Sequence, residues 1–230
     1  MEKLKELSIF QRLYTKLLKQ ILFLIESFLR NISGSLGIKL RRVYYGKRFA
    51  KCGKNLRIDE GVIIENPEYI YVGDNVWIDK YCILIAGKVN ISKNQLKVKK
   101  NPKYLYNERE LHIGNNTHIA PQCIIQAHGG VSIGNYFTSS AGAKIYSLSN
   151  DVKNCKQGTQ YSEKIYYIMF PISIAENVWI GINAIILGGH IEKDSFIAPN
   201  SVVITNIKEN SFASGNPAKK IKDRFQNYKD

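Results

Sequence analysis

From Arg57 onward, aliphatic residues return every six positions, and this period limits the possible folds more than any other feature of the chain. The series runs Ile58 and Ile64; Val72, Ile78 and Leu84; Ile113, Ile119 and Ile125; Ile174, Ile180 and Ile186; Ile191, Ile197 and Val203. Compact residues recur four places after an aliphatic, as at Cys82, Thr117, Cys123 and Ala184. Neither a 3.6-residue helical face nor the alternation of a long strand has this spacing, so each hexad is a short strand followed by a turn. Segments such as Val72-Gly73-Asp74-Asn75 and Ile113-Gly114-Asn115-Asn116 supply turn residues that tolerate positive φ. Three such strands close one triangular coil, and stacked coils line up the aliphatics inside a solenoid. The expected fold is therefore all-β, a parallel β-helix of hexapeptide coils.

The register can be written out as three ladders. Ladder A takes Ile64, Leu84, Ile125, Ile145, Ile186 and Val203; ladder B takes Val72, Ile113, Ile133, Ile174 and Ile191; ladder C takes Ile78, Ile119, Ser139, Ile180 and Ile197. Steps from B to C and from C to A keep to six residues, and every departure falls on the turn from A to B. That turn swells into a basic loop between Leu84 and Ile113, with Lys97, Lys99, Lys100 and Lys103, and again between Ile145 and Ile174. Solenoids carry function where their insertions gather, so the A-to-B edge is the expected active edge. His128 and His190 lie on it, while His112 and His118 precede ladder residues and should project outward to solvent.

Ahead of the coils, Leu4 to Arg30 places apolar residues at helical spacing, among them Ile9, Leu13, Leu17 and Ile21, interleaved with Lys and Arg. Two roles suit it: a cap over the first coil, or an amphipathic contact with an acidic membrane surface, with Lys39, Arg41, Arg42, Lys47 and Arg48 extending the basic surface. Ile21 to Leu29 is far short of the ~20 apolar residues needed to cross a bilayer, and the lead lacks the cleavage pattern of a signal peptide. The net charge of +14 favours anionic partners. Nucleic acid is not expected among them, because no stacking-aromatic motif or groove-reading element accompanies the charge. Cys52, Cys82, Cys123 and Cys155 show neither metal spacing nor a disulfide framework, which suits free thiols in a reducing compartment. The expected layout is an N-terminal basic helical cap over 1–50, a β-helix over 51–210 with loops at 85–112 and 146–173, and a short C-terminal helix or tail over 211–230.

From about Lys54 to Arg224 the chain resembles the hexapeptide-repeat acyltransferase family, in the branch that O-acetylates sugars of polysaccharides. The likeness is carried by Asn177-Val178-Trp179-Ile180-Gly181, Ala184-Ile185-Ile186-Leu187-Gly188-Gly189, Ile197-Ala198-Pro199-Asn200-Ser201-Val202-Val203 and Gly215-Asn216-Pro217-Ala218-Lys219. It implies a left-handed β-helix, although the general preference for right-handed crossovers points the other way. It also implies acetyl-CoA as acyl donor, no metal, a homotrimer with active sites between subunits and a carbohydrate acceptor; the free thiols suit a cytoplasmic location, peripheral to the inner membrane face if the basic lead binds lipid. For CoA it implies Trp179 beside the acyl group, the small residues Gly181, Ala184, Gly189 and Ala198 with Pro199 along the pantetheine, and Lys219 or Lys220 on the phosphates.

Transfer of an acetyl group to a hydroxyl needs a general base and stabilisation of the developing oxyanion. Members of the branch place a histidine after a stretch like Ala143 to Asn150, but here Asp151 and Val152 follow. Ladder register puts His128 one strand spacing, ~4.8 Å, beneath Leu148 and Ser149. His128 is therefore the expected base, with a histidine that caps the turn as the alternative; Asp151 orients it or serves as a carboxylate base, Tyr146, Ser149 and Asn150 meet the acceptor, and Gly129 and Gly130 leave backbone room for a ligand or a tight turn. A sugar N-acyltransferase and a catalytically impaired scaffold remain as alternatives. A zinc hydratase on the same fold is disfavoured, since His112 and His118 fall on different faces of one coil.

Overall fold

A computed structural model describes residues 9–92, 95–153 and 166–225 of the chain. Cys155 lies outside these residues, whereas Cys52, Cys82 and Cys123 are free thiols. Two helices, α1 (Ile9–Asn31) and α2 (Gly34–Gly46), precede a parallel β-helix with three long sheets.

The ladders of the structure are those written from the sequence, residue by residue. Ile64, Leu84, Ile125, Ile145, Ile186 and Val203 pair in succession on A. Val72, Ile113, Ile133, Ile174 and Ile191 do so on B, and Ile78, Ile119, Ser139, Ile180 and Ile197 on C. All of these ladder residues are buried, and they form one continuous core with the compact residues four places on. Ladder B also begins earlier, at Cys52, and C extends to Ala213. The stretch expected as a short helix or tail is instead a hairpin: Ser211–Gly215 and Ala218–Asp223 pair antiparallel and add two strands to sheet C.

Turn chemistry explains why the coils close at six residues. The third residue after each ladder position is left-handed at every B-to-C corner, at Asn55, Asn75, Asn116, Tyr136, Asn177 and Asp194. Along that corner the amides stack, with Asn55 Nδ2 donating to Asn75 Oδ1 and Asn75 Nδ2 to Asn116 Oδ1, each at 2.9 Å. Higher up, Asn177 Nδ2 donates to Asp194 Oδ1 at 2.7 Å. Tyr136 (φ 58) interrupts this polar stack with an exposed side chain in a conformation that tyrosine dislikes. Tyr136→Asn should relieve that strain and join the two segments of the stack, adding about 1 kcal/mol of stability. A urea midpoint no higher than that of the parent chain would refute this account.

The two A-to-B insertions do not stay separate. Strands Leu96–Val98 from the first, and Leu148–Asn150 and Tyr167–Met169 from the second, form a small sheet at the A-to-B edge, with Tyr167–Met169 in the middle. At the other end of the molecule, Arg41 corrects the reading of a uniformly basic helical surface. It is 1 % exposed and its guanidinium faces inward, donating to the carbonyls of Ile58, Leu29 and Ile32 at 3.0, 2.7 and 2.8 Å. Arg48 is likewise engaged, with Glu26 and Tyr44.

Candidate active site

Ladder register carries three coils past the A-to-B edge together. Gly87, His128 and Leu148 each stand three residues beyond a ladder A residue, and the parallel pairing of Ile85, Gln126 and Tyr146 holds that alignment. His128 is half-buried, and its Nδ1 lies 3.0 Å from the carbonyl oxygen of Gly87. A carbonyl only accepts, so Nδ1 carries a proton, and in the neutral ring Nε2 is the nitrogen left to accept one. Among the two neutral tautomers, the contact selects the one that leaves Nε2 free to act as an acceptor.

The backbone around it is held tightly. Gly129 N–H donates to Ser147 Oγ at 2.8 Å, and Ser147 Oγ donates to the carbonyl of Gln126 at 2.8 Å. Gln126 Oε1 in turn accepts the N–H of Leu148 at 3.2 Å. Ser147 is fully buried, and sequence reasoning passed over it in favour of its neighbours. Its signal was register: it lies beside the loop that carries His128. Gly129 serves the same packing. A Cβ there would collide with the carbonyl oxygen of Ser147, and Gly130, at φ 95, donates its N–H to the Ala127 carbonyl at 2.9 Å, so of the two expected uses the pair serves a tight turn rather than room for a ligand.

Asp151 sits at the end of the Leu148–Asn150 strand, 4 % exposed, with its N–H donating to the carbonyl of Tyr166 at 2.7 Å. At Nδ1 the orienting group is the Gly87 carbonyl rather than a carboxylate. Tyr146 is half-buried, whereas Ser149 and Asn150 are exposed on the edge strand of the small sheet.

The residues assigned to the donor divide into two groups. Trp179 stands out from sheet C, 45 % exposed, with its Nε1–H on Ser140 Oγ at 3.2 Å and Phe196 edge-on at 6.1 Å. Pro199 and Lys219 are exposed as well. Ala184 corrects the expectation of a small-residue groove: it is fully buried in the core. At Gly181 a Cβ would come within 2.6 Å of the Pro199 nitrogen, and at Gly189 within 2.7 Å of the Thr205 backbone, so both are small because the next coil is close. Ala198 is buried at 7 % exposure, and Lys220 pairs with Asp223.

The outward histidines are less solvated than expected. His112 is clasped between the rings of Tyr71 and Tyr106, at 4.2 and 3.6 Å, with its Nε2 2.8 Å from Glu110 Oε2. That contact and Asn107 hold the Glu110 carboxyl below the ordinary carboxylate range, against the upward push of partial burial. His118 stacks on Trp77 at 4.4 Å. Among the described residues no three His, Cys, Asp or Glu side chains converge as a metal set.

Comparison with solved structures identifies the architecture. The N-acyltransferase AntD of Bacillus cereus, solved with dTDP and coenzyme A, superposes with a TM-score of 0.66 over 85% of this chain and 92% of its own, at 22% identity. A maltose O-acetyltransferase of Clostridium difficile superposes at 0.56 over 86% and 81%, at 20% identity. The fold is a left-handed parallel β-helix. A coil of opposite hand would not superpose, so the likeness also settles the handedness that periodicity leaves open. In sequence, a Saccharomyces cerevisiae protein provisionally described as an acetyltransferase is 36% identical over 170 residues, 71% of this chain and 63% of its own length. A galactoside O-acetyltransferase of Lactococcus lactis is 38% identical over 88 residues, 36% of this chain and 38% of its own. The chain therefore spans less than two thirds of the length of these curated relatives. No family model matches it.

Proposed function

We propose that the chain is an acyl-CoA-dependent acyltransferase that moves an acetyl group from acetyl-CoA to a sugar hydroxyl, with His128 as general base. The observation that carries this reading is the Gly87 carbonyl on Nδ1, which leaves Nε2 basic at the edge where both insertions gather. Nε2 takes the hydroxyl proton as the sugar oxygen attacks the thioester carbonyl. The tetrahedral adduct then expels the CoA sulfur, which leaves with that proton. Trp179, Pro199 and Lys219 are the exposed groups suited to the donor: an indole beside the acyl arm and an ammonium for a phosphate. Tyr146, Ser149 and Asn150 stay assigned to the acceptor. Asp151 is assigned a positioning role in the loop.

Triangular geometry supports an oligomeric site. His128 stands at the A-to-B corner, whereas Trp179 projects from sheet C, which forms the opposite face of the same prism. With the base and donor groups assigned in this way to a corner and its opposite face, the proposed site is completed by a second copy that brings its C face to this corner. The homotrimer implied by the sequence resemblance meets that need. A hydroxyl acceptor is supported by the galactoside and maltose O-acetyltransferases among the similar proteins, and a cell-surface polysaccharide or its precursor is the acceptor we favour. AntD supports an amino-sugar acceptor as the second reading.

Incubation of the purified chain with acetyl-CoA and a panel of sugars and amino sugars, followed by thiol release and product mass, tests the proposal. Acceptor-dependent thiol release with an ester product is expected. Amide products alone would establish the second reading, and failure to bind CoA would reduce the chain to a scaffold.

A further inference from the structure

The N-terminal arm leaves the apolar face of an amphipathic helix uncovered by the rest of the chain. Along α1, Phe10, Leu13, Leu17, Ile21, Leu24 and Phe28 form one stripe at three- and four-residue spacing, and all are exposed, from 43% at Ile21 to 86% at Phe10. Leu18, Leu22 and Ile25 widen it to about half the helix circumference, broader than a coiled-coil seam. Glu26 is the polar residue turned to the protein: its side chain is only 12% exposed and is held by Arg48 and Tyr44. α2 repeats the arrangement, with Gly37, Arg41 and Tyr45 buried against the coil and Leu36, Leu40 and Val43 facing solvent.

Charge identifies what covers this surface. From Ile9 to Ala50 the chain has nine Lys and Arg and a single acid, Glu26, already paired within the protein. Lys16, Lys39, Arg42 and Lys47 are exposed around the apolar stripes. Symmetric packing against a second copy would set these cations against their own counterparts. An anionic lipid surface takes the apolar stripe into its acyl boundary and neutralises the cations at its headgroups. Among the described residues no helix is long and apolar enough to cross a membrane, so the contact lies in the plane of the leaflet.

We propose that α1, with the outer stripe of α2, is a docking surface for an anionic bilayer. The inference is independent of the acyl chemistry.

Sedimentation of the full-length chain with vesicles of phosphatidylcholine alone, or with about a quarter phosphatidylglycerol, tests it. Binding to the anionic vesicles is expected, falling about tenfold or more as salt is raised from roughly 0.1 to 0.5 M, because the Debye length shortens from about 10 Å. Leu17→Asp with Leu24→Asp should abolish binding while the β-sheet circular dichroism signal is retained. Leu24→Trp, which keeps the stripe apolar, should shift its emission to the blue on addition of anionic vesicles only. Absence of wild-type binding to anionic vesicles would overturn the proposal. So would concentration-dependent self-association that the Asp variant removes, with no vesicle-dependent shift in Leu24→Trp, since a second copy would then be the occupant.

Discussion

His128→Ala is expected to lower acetyl transfer about 10²–10⁴-fold, the span over which a positioned general base contributes, with little change in CoA affinity. The base is used only as the hydroxyl loses its proton, so the loss should fall on kcat rather than on donor binding. A purely structural histidine is the competing account, and His128→Asn separates the two. An asparagine amide can still donate to the Gly87 carbonyl, now 3.0 Å from Nδ1, yet it offers no basic nitrogen. If the imidazole merely ties adjacent coils together, Asn should restore activity close to wild type. If it is the base, both variants stay slow and Asn is the more stable of the two. Asp151→Asn should be milder, since the carboxylate is buried and the Nδ1 hydrogen bond does not depend on it.

What the sequence made legible, and what it hid, follow from the physics of a solenoid. The ladders could be written out because each coil repeats one local rule, an aliphatic inward and a left-handed turn three residues on, so Ile58 and Ile197 answer to the same constraints. The same repetition located the A-to-B edge and His128 beneath Leu148. It could not show that the two insertions share one sheet, because the pairing of Leu96–Val98 with Tyr167–Met169 joins segments some seventy residues apart that have no common period. Nor could it separate smallness for a ligand from smallness for a neighbouring coil. Gly181, Ala184 and Gly129 looked like room, and each is filled by the protein itself. Arg41 misled most, because an arginine among Lys39, Arg42 and Lys47 reads as surface charge until the carbonyls it must serve are in place.

Those carbonyls make Arg41→Met the most destabilising substitution expected outside the coils. α1 ends at Asn31, so its last carbonyls lack intrahelical partners. Arg41 accepts this duty from α2: Nη1 serves Leu29 and Ile32 while Nε serves Ile58 in the first coil, so one guanidinium joins both helices to the β-helix. Burial pulls its pKa down, and Asp59 and Glu60 work against that pull. Methionine would fill a similar volume but leave three carbonyls poorly satisfied, at a cost of about 3–5 kcal/mol. Arg41→Lys should recover only part of this, since a compact ammonium cannot reproduce the planar fork. The loss should be local, because a solenoid's coils depend mainly on their neighbours. Amide exchange should therefore quicken roughly 10²–10⁴-fold in α1, α2 and the strand at Arg57–Ile58, and little beyond Ile113. Unchanged exchange in α2 would show that Tyr45 and Phe49, buried at the coil end, hold the arm without the guanidinium. The expected result leaves the arm held by a polar clasp on its inner side, which frees its apolar side for a partner outside the chain.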